Sequence, residues 1–139
     1  MDALDSHSSS PLASLGIWNR ACNLAVRSYS LIHDCDDAVF RERVTSASLS
    51  LAAHIAAGYE RATLGQFANF LERARGNCAE LRTQLYLAAQ LDLIPVTRST
   101  ELMQESVEIS RQLQSLITWC DAQPDASPRA HRAWRQVAE

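Results

Sequence analysis

The chain has 139 residues, 47% of them apolar, with only 4 Gly and 4 Pro. That is the size and composition of one domain able to bury a core without disulfides or metal, and it excludes an intrinsically disordered chain. A net charge of −3 excludes the broadly basic domain that usually accompanies nucleic-acid binding, although all 13 basic residues are Arg, the side chain best suited to bidentate pairing with carboxylate or phosphate.

The first residues, MDALDSHSSSPLASLG, are expected to form a flexible tail over 1–14. They lack the basic and apolar regions of a signal peptide. The longest uncharged stretch, residues 44–59, is too short and too rich in Ser, Thr and His to span a bilayer. Cys22, Cys35, Cys78 and Cys120 are widely spaced and form no C-x-x-C. Free, buried thiols in a reducing cytoplasm are the expectation, with no membrane partner.

No Pro occurs between residues 12 and 94, which leaves room for long helices. The spacing predicts a first helix over about 15–35. Trp18, Ala21, Cys22, Ala25, Tyr29 and Ile32 share its apolar face. Asp36 or Asp37 is expected to cap a second helix over about 38–57, where an acid suits the positive end of the dipole. Phe40, Val44, Ala47, Leu51 and Ile55 form its stripe, and Gly58 is expected to end it as a C′ residue. Thr63 and Gln66 read as a capping box opening a third helix over about 64–91. Phe67, Leu71, Ala74, Cys78, Leu81, Leu85 and Ala88 alternate at steps of four and three, the seam expected of helices packed at about 20°. Thr97 or Ser99 is expected to cap a fourth helix reaching about residue 120. Leu102, Ser106, Ile109, Leu113, Leu116 and Cys120 repeat the alternation. Short connections force neighbouring helices to run antiparallel. The expected fold is therefore all-α, an up-down four-helix bundle over 15–122. A C-terminal extension over 123–139 follows, where Ser127 and Pro128 are able to start a short helix.

Residues 44–59 hold no Asp, Glu, Lys or Arg. A surface helix of a monomeric bundle carries a charged outer face, so this one is expected to be covered, most simply by a second copy of the chain. The expected interface is Ser48, Ala52, Ala53, His54, Ala56 and Ala57. The alternative is an exposed face of small residues.

Candidate chemistry is sparse. His33 and Cys35 form an H-x-C pair without a second ligand pair elsewhere, so no metal is expected. His54 has no partnered nucleophile or carboxylate. The sequence contains no phosphate-binding glycine loop, dinucleotide fingerprint, zinc-protease or nucleophile-elbow motif. No catalytic residue, cofactor or enzymatic activity is expected. Arg61, Arg73, Arg75 and Arg82 gather on or near the third helix, with Glu72 and Glu80 interleaved for local ion pairs. Arg129, Arg132 and Arg135 accompany His131 and Trp134 near the end. Both sets are candidate nucleic-acid contacts, because a modest basic patch is multiplied when subunits form a ring.

The segment HIAAGYERATLGQFANFLERARGNCAELRTQL resembles the four-helix-bundle family encoded in intervening sequences of bacterial 23S rRNA genes, which also includes accessory proteins of diversity-generating retroelements. The matching positions are Ser50, Leu51, Ile55, Ala56, Gly58 and Arg61, then Phe67, Phe70, Leu71, Ala74, Gly76, Glu80, Leu81, Thr83, Gln84 and Leu85. Trp18 and Ala21 resemble the family's W-x-x-A. This chain departs from the pattern at His54 and Ala57, at Thr45 and Ser46 in place of a basic pair, and at Asn77. The resemblance implies a homopentameric ring or barrel of undefined cellular role. For the retroelement relatives it implies contact with RNA and a reverse transcriptase. Two readings result: a self-assembling, non-enzymatic bundle, or an accessory protein that binds RNA or a nucleic-acid enzyme.

Overall fold

The computed structural model describes residues 15–124. Among them are four helices and no strand: α1 Gly16–Ile32, α2 Ala38–Tyr59, α3 Leu64–Gln90 and α4 Val96–Ala122. α1 packs on α2 and α4, and α3 packs on α2 and α4, so the helices form a square with antiparallel neighbours. The tail expected over 1–14 and the helix expected after Pro128 lie outside the described residues.

The seams of α3 and α4 fall where the four-three spacing puts them. Phe67, Leu71, Ala74, Cys78, Leu81 and Leu85 are completely buried, and Leu102, Ile109, Leu113 and Cys120 face them from α4. The apolar face of α1 is rotated from the expected one. Its inward stripe is Ile17, Ala21, Leu24, Ser28 and Leu31, with Ala25 and Ile32 beside it, while Tyr29 is half exposed and Trp18 and Cys22 lie at the margin. Two stripes compete here. The one rich in Ile and Leu wins because it removes more purely apolar surface from water, whereas Trp18 and Tyr29 keep their polar tips at the edge. Ser28 is carried inward with the winner, and its buried hydroxyl has no hydrogen-bond partner among the described residues. Ser28→Ala is therefore expected to stabilise the fold by about 1 kcal/mol, read from the urea midpoint, since an unmet buried hydroxyl is removed.

Helix ends follow local chemistry, with three departures. Asp37 caps α2, its Oδ1 accepting the N–H groups of Val39 at 3.0 Å and Phe40 at 3.2 Å. Thr63 Oγ1 accepts the Gln66 N–H at 3.1 Å, and Gln66 Oε1 reaches back to the Ala62 N–H at 3.2 Å. The box thus closes one residue earlier than its usual form.

The first departure is at α1, which stops at Ile32 rather than near Cys35; the Cys35 N–H turns back to the Ile32 carbonyl. The second is Gly58, which does not end α2. It lies inside the helix without positive φ, and its role is close approach to α3. The third is α4, capped by neither Thr97 nor Ser99. It begins directly after Pro95, whose extended ψ of 133° sets the entry, and Ser99 is buried with its Oγ donating to the Leu85 carbonyl at 2.9 Å.

α3 ends in a Schellman motif with Asp92 at C′, at φ 58°. The Leu93 N–H reaches the Ala88 carbonyl at 2.9 Å and the Asp92 N–H reaches the Ala89 carbonyl at 3.1 Å. A left-handed Asp at the negative end of a helix is unfavourable on both counts. Asp92→Gly is expected to gain about 1 kcal/mol in thermal unfolding. Asp92→Asn should gain only the smaller electrostatic part.

Candidate functional site

The residues singled out by sequence fall into three places. On α2, Ser48 is completely buried within its own chain, its Oγ donating to the Thr45 carbonyl at 3.0 Å. This corrects its assignment to an intermolecular face: lying four residues after Val44 and three before Leu51, it turns into the core with them. Ala52 packs partly against that core and Ala56 is half-buried, while Ala53 and Ala57 are exposed. The uncharged outer face of α2 is Ser46, Leu49, Ala53 and Ala57, with Leu49 58% exposed. Sequence reasoning misses Leu49, although its spacing with Ser46, Ala53 and Ala57 carries the signal.

This outer face continues onto α1, which exposes Val26 and Tyr29. Tyr29, His33, Arg41, Thr45 and Leu49 line a broad trough between the two helices. On the α3–α4 side, Tyr86, Ala89, Val96, Met103 and Val107 line a mainly apolar groove of about 320 Å³ beside Arg82. The packing order of the helices makes these opposite sides of the bundle.

The arginines divide into two pairs. Arg75 and Arg82, seven residues apart, share the α4 side of α3. Arg75 Nη1 lies 3.1 Å from Glu72 Oε2, and Arg82 Nη1 donates to Ser106 Oγ at 3.3 Å. Arg61 and Arg73 turn toward α2 instead. Their guanidinium carbons sit 5.1 Å and 4.7 Å from the centre of the Phe70 ring, within cation–π range. Neither takes part in the Arg20–Glu105, Arg27–Glu101, Arg75–Glu72 or Arg111–Glu108 ion pairs. The His54 ring lies 6.3 Å from the same phenyl, and its Nδ1 donates to Asn77 Oδ1 at 2.6 Å. His54 therefore bridges α2 to α3 rather than pointing away from the bundle. Arg129, Arg132 and Arg135 lie outside the described residues.

Burial pushes the Cys78 and Cys120 thiols up to about 12, against small opposing effects of Arg82 and Arg75 on Cys78. Both are protonated at neutral pH and poor nucleophiles. His33 packs near Tyr29 while Cys35 is buried. Among the described residues no group of three or more His, Cys, Asp or Glu side chains is arranged to hold a metal ion, and no helix is long and apolar enough to cross a membrane.

A solved structure shares this arrangement. It is a protein with unknown function from the S23 ribosomal protein family of Bacteroides thetaiotaomicron, 22% identical, with a TM-score of 0.68 over 73% of this chain and 97% of that one. At that identity the likeness concerns the fold. No curated protein matches the chain. The family model described as 23S rRNA-intervening sequence protein matches residues 13–115, a span that takes in nearly all of the helical body, and the chain belongs to that family.

Proposed function

We propose that this protein is a non-enzymatic helical body that assembles with copies of itself in the cytoplasm as a homopentamer. The observation that carries the reading is the pair of opposed surfaces that expose apolar side chains, Leu49 and Tyr29 among polar neighbours on α1–α2, Tyr86 and Val96 on α3–α4. Two unlike patches on opposite sides favour head-to-tail contact, which produces a ring when the rotation closes. The number five rests on the family resemblance. Light scattering on the eluting species at micromolar concentration tests it. The expected mass is five times the 15.4 kDa chain. A monomer overturns the self-assembly reading, and a smaller closed ring overturns the number alone.

A second reading, an accessory protein that contacts RNA or a nucleic-acid enzyme, draws support from the two guanidinium groups gathered on Phe70. Its signature is binding that weakens steeply with salt.

A further inference from the structure

We propose that Arg61 and Arg73, held on Phe70, form a phosphate-binding site. This deepens the nucleic-acid reading and is independent of self-assembly. A guanidinium held over a ring is attracted through its charge, which leaves N–H donors available to an anion. Here two such groups share one ring, so their carbons are at most about 10 Å apart. Glu72, the carboxylate beside Arg73 in sequence, is taken by Arg75.

Two like charges on one ring repel, and an anion bound beside the ring relieves that repulsion. A single carboxylate fits one guanidinium fork, whereas a phosphate offers enough oxygens for two. Phe70 is positioned by the tight α2–α3 contact, where its Cβ faces Gly58, and by the His54–Asn77 bond behind it. The ring is therefore held in place between the helices, and it gives the two arginines a fixed surface to gather on. Arg75 and Arg82, engaged with Glu72 and Ser106, are not part of the site.

The test uses the full chain, a fluorescein-labelled single-stranded RNA of about 20 nucleotides and inorganic phosphate as competitor, at about 50 mM salt, where phosphate contacts are strong. Both arginines are exposed, so Arg61→Ala/Arg73→Ala should fold, and circular dichroism is the check. The double variant is expected to bind the RNA at least tenfold more weakly and to lower the salt slope by about two. Arg111→Ala, on α4, should change neither. RNA binding that the double variant leaves intact overturns this site and spares the nucleic-acid reading. Saturable phosphate binding that is lost in the double variant, without RNA binding, upholds the site and removes the nucleic-acid reading. No binding of either probe overturns both.

Discussion

Gly58→Ala is expected to destabilise the bundle by about 1–2 kcal/mol, against the usual sign of a Gly-to-Ala change inside a helix. In an exposed helix interior that change gains about 1 kcal/mol. At residue 58, however, an added Cβ would lie 2.7 Å from Phe70 Cβ, 3.0 Å from Phe67 Cδ1 and 3.4 Å from the Phe67 carbonyl oxygen. The first of these is a backbone-proximal atom, which no rotamer change moves away, and Phe67 is completely buried. α2 and α3 must therefore separate locally, and overpacking of this kind costs typically about 1–3 kcal/mol. Urea unfolding measures the difference. Gly76→Ala supplies the internal contrast: apart from its own helical backbone, no atom of the described residues lies within 4 Å of the place its new methyl would take, so it should stabilise by about 1 kcal/mol. If both substitutions shift the midpoint in the same direction, close approach is not what keeps residue 58 a glycine. A displaced Phe70 should also disturb the Arg61–Arg73 platform, so Gly58→Ala is expected to weaken RNA binding without touching a charge.

The same glycine shows how far the sequence can be read. α3 and α4 are legible because strongly apolar side chains mark nearly every seam position, and few alternative stripes bury as much surface. α1 is ambiguous because Ser28 interrupts its inward stripe while Trp18 and Tyr29 advertise a neighbouring one. Gly58 is misread as a terminator because local rules see a helix ending at glycine. Only the fold reveals Phe67 and Phe70 pressing on it, with Tyr59 continuing the helix into the core. Asp92 gives no composition signal for a left-handed residue, since Gly or Asn is the usual occupant. Pro95 opens α4 without the side-chain cap that Thr97 or Ser99 promises.

Of the candidate site, the residue types are legible and the partnerships are not. Arg61 belongs to the connection between helices, where periodicity assigns no face, so its meeting with Arg73 over Phe70 is a tertiary fact. The outer face of α2 is recognisable by its lack of charge, but the register read from the sequence includes Ser48. Burial shifts that face to Ser46, Leu49, Ala53 and Ala57. The uncharged character survives the correction, because every residue of 44–59 is free of formal charge. It is the feature that most separates this helix from α3 and α4, whose outer faces carry Glu80, Arg111 and Glu108.

Leu49→Arg is expected to break the proposed assembly while leaving the protomer folded. Leu49 points outward and is 58% exposed, so arginine there costs the isolated bundle little. Within an apolar contact the same charge is desolvated without a partner, a cost of about 3–5 kcal/mol. That weakens each contact by a factor of about 100 or more, and light scattering should report a smaller species with unchanged helicity. Thr118→Arg, on the exposed side of α4, controls for added charge alone. Tyr86→Arg, on the opposite surface, should have the same effect as Leu49→Arg. Mixing the two variants then distinguishes the geometry of the contact. In a head-to-tail arrangement each variant keeps one sound surface, and the sound surface of one complements that of the other. The mixture should form a capped one-to-one pair that neither variant forms alone. An isologous contact joins like surfaces and offers no such rescue, so two variants that stay apart would exclude the head-to-tail ring even if the native protein proves oligomeric.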